Sequence, residues 1–94
     1  MKVEIKKSTN KNKKLMAIFY DGNKKKTVRF GSAGMSDYTI HNDDARKKRY
    51  LDRHRKRENW NSYMTAGALS RWILWNNKTL KSSISEYKNK FGLK

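Results

Sequence analysis

The chain has 94 residues, a length typical of one small domain. It carries 24 Lys and Arg against 8 Asp and Glu, and the formal net charge of +16 favours a polyanionic partner. It has no cysteine, which excludes a disulfide scaffold and a thiolate zinc site. No stretch is apolar enough to predict a transmembrane segment, and the basic N-terminal region lacks the apolar core of a secretory signal, so we expect a protein that is not secreted.

Residues 1–41 have the patterns of short strands. Val3–Lys6 alternates apolar and polar residues, and Leu15–Tyr20 is a continuous apolar run of the length of a strand buried on both faces. Asp21–Asn23 is a strong hairpin-turn signal, and the alternation returns in Lys26–Phe30. We therefore predict a small antiparallel sheet of about three strands, in which a hairpin is joined by the first strand.

Residues 42–58 are predicted to form a basic helix. Asn42, Asp43 and Asp44 supply an N-cap and acidic residues for the first turn, and the basic residues accumulate toward the C-terminal end, as the helix dipole favours. Apolar side chains are few, with Tyr50 the largest among them. A helix with so narrow an apolar stripe depends on caps, charge pairs or a partner for its stability.

Residues 59–94 are predicted to form a helical hairpin. Thr65 can cap a helix over Ala66–Trp75, and Thr79 can cap a last helix that ends at Gly92. Apolar residues recur at helical spacing in both segments. They include Leu69, Trp72 and Ile73 in the first helix and Leu80, Ile84, Tyr87 and Phe91 in the second.

The three parts predict a single α+β domain over residues 1–94. Its small antiparallel sheet is followed by the basic helix, and the C-terminal helical hairpin packs on one face of the sheet. Positive charge is present in all three parts rather than in an appended tail.

The basic helix is the first candidate site. Arg46, Arg49 and Arg53 recur at i, i+3 and i+7, so they share a helix face, and guanidinium groups in such a stripe can bind successive phosphates. The alternative is a solvated face with internal ion pairs, but the acids are too few to neutralise it. The predicted polyanion-binding residues are Arg46, Lys47, Arg49, Arg53, Lys56 and Arg57, with Lys24, Lys25 and Lys26 beside the hairpin turn.

Two further groups have competing interpretations. The run Lys24–Lys26 can reach a phosphate backbone or can simply protect a sheet edge from pairing. Trp60 and Tyr63 lie in a polar, Asn-rich linker and are candidates for base stacking or an interface, with a place in the core as the alternative.

Nothing in the chain predicts catalysis. Asp37, His41, Asp43 and Asp44 with His54 match no metal or catalytic motif in their spacing, and the acids at 43 and 44 already have a role at a helix N-terminus. We expect no enzyme activity, no cofactor, no metal and no small-molecule substrate.

Two sequence blocks occur together in the chain, VRFGSAGMSDYTIH at residues 28–41 and MTAGALSRWILWN at residues 64–76. In combination they resemble a functionally uncharacterised family of small basic proteins of large nucleocytoplasmic DNA viruses, the giant viruses. The resemblance extends over about residues 1–92. It implies a viral protein of the virion and of the infected cell interior, in the cytoplasm or the viral factory, and it implies no catalytic residues.

Two functions follow as predictions. The first is non-enzymatic binding of viral nucleic acid, DNA before RNA, through phosphate contacts with little sequence specificity. The alternative is a minor capsid or internal virion protein that cements other virion proteins, or that bridges the shell to DNA or to an anionic membrane surface. The first predicts an affinity that falls steeply with salt, and the second predicts an association that survives it.

Overall fold

The computed structural model describes residues 1–94 and has a three-stranded antiparallel sheet with helices on one face. The strands lie in the order β1-β2-β3, with bounds β1 Lys2–Lys7, β2 Lys13–Asp21 and β3 Lys24–Ser32. The helices are α1 Tyr38–His41, α2 Asp44–His54, α3 Ala66–Leu69, which continues as a π-helical segment over Ser70–Leu74, and α4 Leu80–Phe91. The predicted α+β class is confirmed.

The β2–β3 hairpin closes through a two-residue turn. Asp21 pairs with Lys24, so Gly22 and Asn23 alone form the loop. Gly22 has a φ of 61°, which a glycine adopts without steric penalty and which tight hairpin turns require. The turn signal in the sequence is therefore read correctly.

The central strand β2 is buried on both faces, as the apolar run predicts. Ala17 and Phe19 face the helices and belong to the hydrophobic core. Met16 and Ile18 point to the other face of the sheet and lie outside that core, yet they are only 7 % and 5 % exposed.

The helices and the sheet share one hydrophobic core. Phe30 from β3, Leu69 and Ile73 from the middle helix and Tyr87 from α4 are fully buried in it. The C-terminal tail runs beside β1, because the backbone N–H of Val3 donates to the Lys94 carbonyl and the Lys94 N–H donates to the Met1 carbonyl.

The predicted helix caps are present. Asp43 Oδ1 accepts hydrogen bonds from the Ala45 and Arg46 backbone N–H groups at 3.0 and 3.2 Å. Thr65 and Thr79 cap α3 and α4 in the same way, and Gly92 ends α4 with a φ of 65°. Each of these residues satisfies backbone groups that a helix end leaves unpaired.

The basic helix is shorter than the predicted range 42–58. It ends at His54, and residues 55–57 form a turn in which the Arg57 N–H donates to the His54 carbonyl. Residues 55–59 carry no apolar side chain that could pack against the core, and the run 55–57 consists of three adjacent like charges. Neither feature stabilises a continuation of the helix beyond His54.

The predicted helix Ala66–Trp75 is not a regular α-helix. Only its first turn is α-helical, and the Trp75 N–H then donates to the Ser70 carbonyl at 3.1 Å, five residues back. This π-helical turn holds one extra residue. As a result Leu69, Ile73 and Leu74 are all buried, which a regular helical spacing does not predict.

The substitution Gly31→Ala should destabilise the fold more than Gly34→Ala. Both glycines have positive φ, 77° and 83°, so alanine is strained at either position by about 1–2 kcal/mol. At Gly31 the new Cβ would also lie 2.6 Å from Leu74 Cδ1, whereas space is open at Gly34. We expect about 1–3 kcal/mol of additional destabilisation for Gly31→Ala in urea unfolding. Equal losses for the two variants would contradict this contact.

Candidate nucleic-acid interface

An aromatic stack fixes α2 to the rest of the molecule. The Tyr50 ring lies parallel to the Trp75 ring, with 4.2 Å between centroids and 3° between planes. The His54 ring covers the other face of Tyr50 at 4.1 Å. Because Tyr50 is the only buried residue of α2, this stack sets the position of the helix.

Polar contacts attach the beginning of α2. The Tyr38 hydroxyl donates a hydrogen bond to Asp44, and Lys47 Nζ donates to the Asn76 carbonyl oxygen at 2.6 Å. Lys47 Nζ also lies 4.8 Å from the centre of the Tyr38 ring. Burial lowers the pKa of Lys47. Lys47 therefore serves mainly to hold the helix and is not a free cation of its surface.

Glu58 holds the chain that leaves α2. Its Oε1 lies 3.1 Å from His54 Nδ1 and accepts a hydrogen bond from Trp60 Nε1 at 3.3 Å. The carboxylate packs against the backbone of Gly67 so closely that any Cβ there would collide with it. Glu58 thus joins the end of α2 to the start of α3.

The outer side of α2 carries Arg46, Arg49 and Arg53, which we name the arginine face. All three are exposed, and none of their guanidinium groups makes an ion pair or a hydrogen bond within the protein. The one ion pair of the helix, between Lys48 and Asp52 at 3.1 Å, does not involve them. The predicted stripe of arginines is therefore present as a continuous exposed surface.

The carboxylates of the protein are engaged elsewhere. Asp43 caps α2, and its hydrogen bond from the Arg46 backbone N–H lowers its pKa. The hydrogen bond from Asn77 lowers the pKa of Glu86 in the same way. Seven of the 8 acidic side chains accept a hydrogen bond within the protein, namely Glu4, Asp37, Asp43, Asp44, Asp52, Glu58 and Glu86. Only four of them pair with a Lys or His side chain and none pairs with an arginine, so the charge of the arginine face is not neutralised.

A cleft of about 390 Å³ lies between α2, α3 and the end of the sheet. Arg53 and Lys13 line it from opposite sides, so the cleft extends the positive surface of the arginine face onto β2. Lys14 also lines it, but its Nζ is paired with the buried Asp37 at 2.6 Å. Tyr50 also lines it, but both of its ring faces are covered, so Tyr50 is not an open platform for a base.

Lys56 and Arg57 lie beyond the end of α2 and not on its face as predicted. They stay close to the arginine face, since they line one shallow depression together with Arg53. Arg55, which the periodicity left out, is also exposed and makes no side-chain contact with an acid. Five of the seven arginines of the chain thus fall between positions 46 and 57.

The lysines of the hairpin turn are not part of this surface. Lys24 begins β3, and Ser32 at the other end of that strand is the residue that reaches the cleft. At about 3.3 Å per residue the two ends are about 25 Å apart. By the strand register Lys24 and Lys26 are on the helix side and Lys25 is on the opposite side of the sheet. All three line a depression at the hairpin end that also contains Met64.

Both linker aromatics have contacts inside the protein. Tyr63 is half-buried, with its ring 5.1 Å from that of Phe91, and its carbonyl accepts the Tyr87 hydroxyl. Trp60 is half-buried too, and the Arg71 guanidinium lies 5.3 Å from its ring. The geometry favours the core alternative for Tyr63 over base stacking.

Arg71 is a structural residue that the sequence analysis missed. Its guanidinium lies between Trp60 and Trp72, at 5.3 and 4.3 Å from their ring centres, and it donates to the Trp75 carbonyl at 3.1 Å. Burial lowers the pKa of Arg71. A single arginine within a tryptophan-rich apolar run was the available signal.

The histidines and acids considered for a metal site do not converge. No group of three or more His, Asp or Glu side chains is placed to hold a metal ion. Instead, His41 Nδ1 accepts from the Asp43 backbone N–H, and the Asp37 carboxylate pairs with Lys14. None of the helices has the length and apolar character needed to cross a bilayer.

The chain belongs to DUF5754, a family of unknown function, whose pattern it matches over residues 3–54. The matched region contains the sheet, α1 and α2, and it includes all of the arginine face. No curated protein and no solved structure matches the chain. The family match names no organism, so the resemblance to proteins of large DNA viruses stays a prediction.

Replacing Tyr50 tests how α2 is attached. Tyr50→Leu removes the stack on Trp75 and should lower the free energy of unfolding by about 0.5–1.5 kcal/mol beyond the loss of buried area. Tyr50→Phe is the matched control, because the Tyr50 hydroxyl makes no hydrogen bond within the protein and the ring remains. Thermal unfolding measures both. Similar stability of the Leu and Phe variants would show that the stack does not hold the helix.

The protein should lose stability above about pH 10. Burial raises the pKa of Tyr50 and of Tyr87, and the hydrogen bond to Asp44 raises that of Tyr38. In the unfolded chain these phenols ionise at about pH 10, the ordinary pKa of tyrosine, whereas the folded protein keeps their protons to higher pH. Their stabilising contribution is therefore complete below about pH 10 and is lost above it. The lowered pKa values of Lys47 and Arg71 act in the opposite direction.

Urea unfolding at pH 9, 10 and 11 measures this dependence. Tyr50→Phe removes one of the three groups, so its free energy of unfolding should fall less steeply with pH than that of the wild type. A constant free energy across this range would contradict the burial of these phenols.

Proposed function

We propose that this protein binds nucleic acid without catalysing a reaction, duplex DNA before RNA, through phosphate contacts with little sequence preference. The observation that carries the proposal is the arginine face, whose three guanidinium groups are exposed and have no acidic partner. The net charge of +16 points in the same direction.

The spacing of the arginine face suits a phosphate backbone. Arg46 and Arg53 are seven residues apart on α2, which is about 10 Å along a helix axis. Phosphates of one DNA strand follow each other every 3.4 Å or so along the duplex axis, so the face spans about three of them. The planar guanidinium can bind a phosphate through two parallel hydrogen bonds, which lysine cannot do.

The remaining residues of α2 argue for binding with little sequence preference. Besides the arginines, its exposed residues are Asp44, Ala45 and the paired Lys48 and Asp52. It carries no Asn or Gln, the residues that read adenine through two hydrogen bonds. Contacts between guanidinium groups and phosphates position a protein on DNA but carry no sequence information.

A structural role in a virus particle is the second candidate. Met35 and Ile40 are each 65 % exposed and flank the start of α1, where they could meet another protein. Such an apolar contact would persist at high salt, whereas phosphate contacts weaken. Salt dependence therefore separates the two functions.

The triple variant Arg46→Gln, Arg49→Gln, Arg53→Gln tests the proposal. Each lost phosphate contact should flatten the plot of log affinity against log salt by about 0.9, so the slope for a mixed-sequence duplex should fall by about 2.7. The loss of affinity should be the same for unrelated duplex sequences. Fluorescence anisotropy at several salt concentrations measures both.

The control changes the same amount of charge elsewhere. Lys7, Lys11 and Lys81 are exposed and make no side-chain ion pair, so their replacement by Gln also removes three positive charges. We expect this control to keep most of the wild-type slope. If the two triple variants lose the same amount, net charge rather than the arginine face is responsible, and the proposed site is wrong.

A further inference from the structure

The face of the sheet that points away from the helices has an ordered arrangement of charge. The strand register places nine side chains on it in three rows, each of which crosses β1, β2 and β3. We name them the outer sheet face. The rows are Lys2, Tyr20 and Lys25; Glu4, Ile18 and Thr27; and Lys6, Met16 and Arg29.

The apolar middle of this face is covered by its own neighbours. Met16 and Ile18 are 7 % and 5 % exposed, although the hydrophobic core of the protein lies on the other side of the sheet. Their cross-strand partners include Lys6 and Arg29, which are themselves exposed. Long basic side chains can cover apolar surface with their methylene groups and keep the charged end in water. The outer sheet face therefore presents charge rather than an apolar patch.

The charge on this face is mostly uncompensated. Its single acid, Glu4, lies 3.5 Å from Lys6 Nζ and accepts a hydrogen bond from the Tyr20 hydroxyl at 3.3 Å. Arg29 donates to Thr9 Oγ1 at 2.9 Å and meets no carboxylate. Lys2 and Lys25 make no ion pair, so the face keeps a net positive charge.

The four cations stand at the corners of a rectangle. The first and third rows are four residues apart, or about 14 Å, and β1 and β3 are about 10 Å apart. A surface this broad does not enter a major groove about 12 Å wide, which admits two strands at most. It fits instead across the phosphates on the outside of a duplex.

This face and the arginine face belong to different sides of the molecule. α2 is attached through Trp75 and Asn76, which follow the helical layer that covers the core side of the sheet. The outer sheet face is the opposite side of that sheet. Arg53 lines the cleft beside Lys13 and Ser32, so the arginine face lies at the end of the sheet and not over its outer surface.

We propose that the outer sheet face is a second DNA-binding surface and that one molecule bridges two duplex segments. The inference rests on the proposed function, because it assigns the first duplex to the arginine face. Charge complementarity identifies DNA as the ligand of this face. Three of its corner cations are not paired with an acid, namely Lys2, Lys25 and Arg29. Duplex DNA carries one negative charge about every 1.7 Å along its axis. Condensed cations between the duplexes also reduce their mutual repulsion.

A two-duplex capture assay tests bridging. One mixed-sequence duplex is immobilised, the protein is added, and retention of a second, fluorescent duplex is measured near 100 mM salt. The sheet variant is Lys2→Gln, Lys6→Gln, Lys25→Gln, and it removes three charges, as the arginine-face variant does. The Lys7, Lys11 and Lys81 variant is again the charge-matched control.

We expect the wild type and the control to capture the second duplex. The sheet variant should bind a single duplex with nearly the wild-type slope of log affinity against log salt, yet capture about tenfold less of the second duplex. Lys25→Glu reverses one charge and leaves the other sheet side chains in place, so it should reduce capture in the same direction. Circular dichroism of each variant confirms that it is folded.

Different results separate the two proposals. Bridging through this face is overturned if the sheet variant and Lys25→Glu both capture the second duplex at the wild-type level. Detection of a dimer by light scattering would then explain the capture. Wild-type protein that binds one duplex but captures no second also overturns bridging, while the proposed function stands. An arginine-face variant with the wild-type salt slope overturns the proposed function itself.

Discussion

The stack of Tyr50 on Trp75 is the contact on which the position of the arginine face depends. α2 has almost no other apolar side chain to bury, so one pair of parallel rings decides where its arginines point. Trp75 directly follows the π-helical segment, whose Ile73 and Leu74 are buried in the core. The packing of these two aromatic side chains therefore fixes the position of the arginine face relative to the core of the protein.

The distribution of acids explains why the exposed surface of α2 is basic. Nearly every carboxylate is used inside the protein, as a helix cap, as a partner of a tyrosine or histidine, or in a local pair with lysine. Asp37 does two of these at once, since it caps α1 and pairs with Lys14. The acids therefore stabilise the fold, and the arginines of residues 46–57 are left without an acidic partner.

Local signals predicted most of the fold, and tertiary contacts account for what they missed. The turn at Gly22 and the caps at Thr65 and Thr79 depend on residues close in sequence, so they could be read correctly. The helical periodicity of the sequence grouped Lys47 with the neighbouring arginines. Its structural role depends on the hydrogen bond to the Asn76 carbonyl oxygen, 29 residues away, which a local pattern does not contain. The π-helical turn and the position of Tyr63 likewise follow from packing against distant segments, which the pattern of one segment does not contain.

The uncompensated charge has a consequence for how the folded chain and its complexes respond to ions. In the free protein the cations of α2 and of the sheet repel one another, and dissolved salt screens that repulsion and so favours the compact state. The same salt competes with the protein for phosphates. Ionic strength should therefore act in opposite directions on folding and on the proposed binding. In dilute buffer a bound polyanion would provide the screening that salt otherwise supplies.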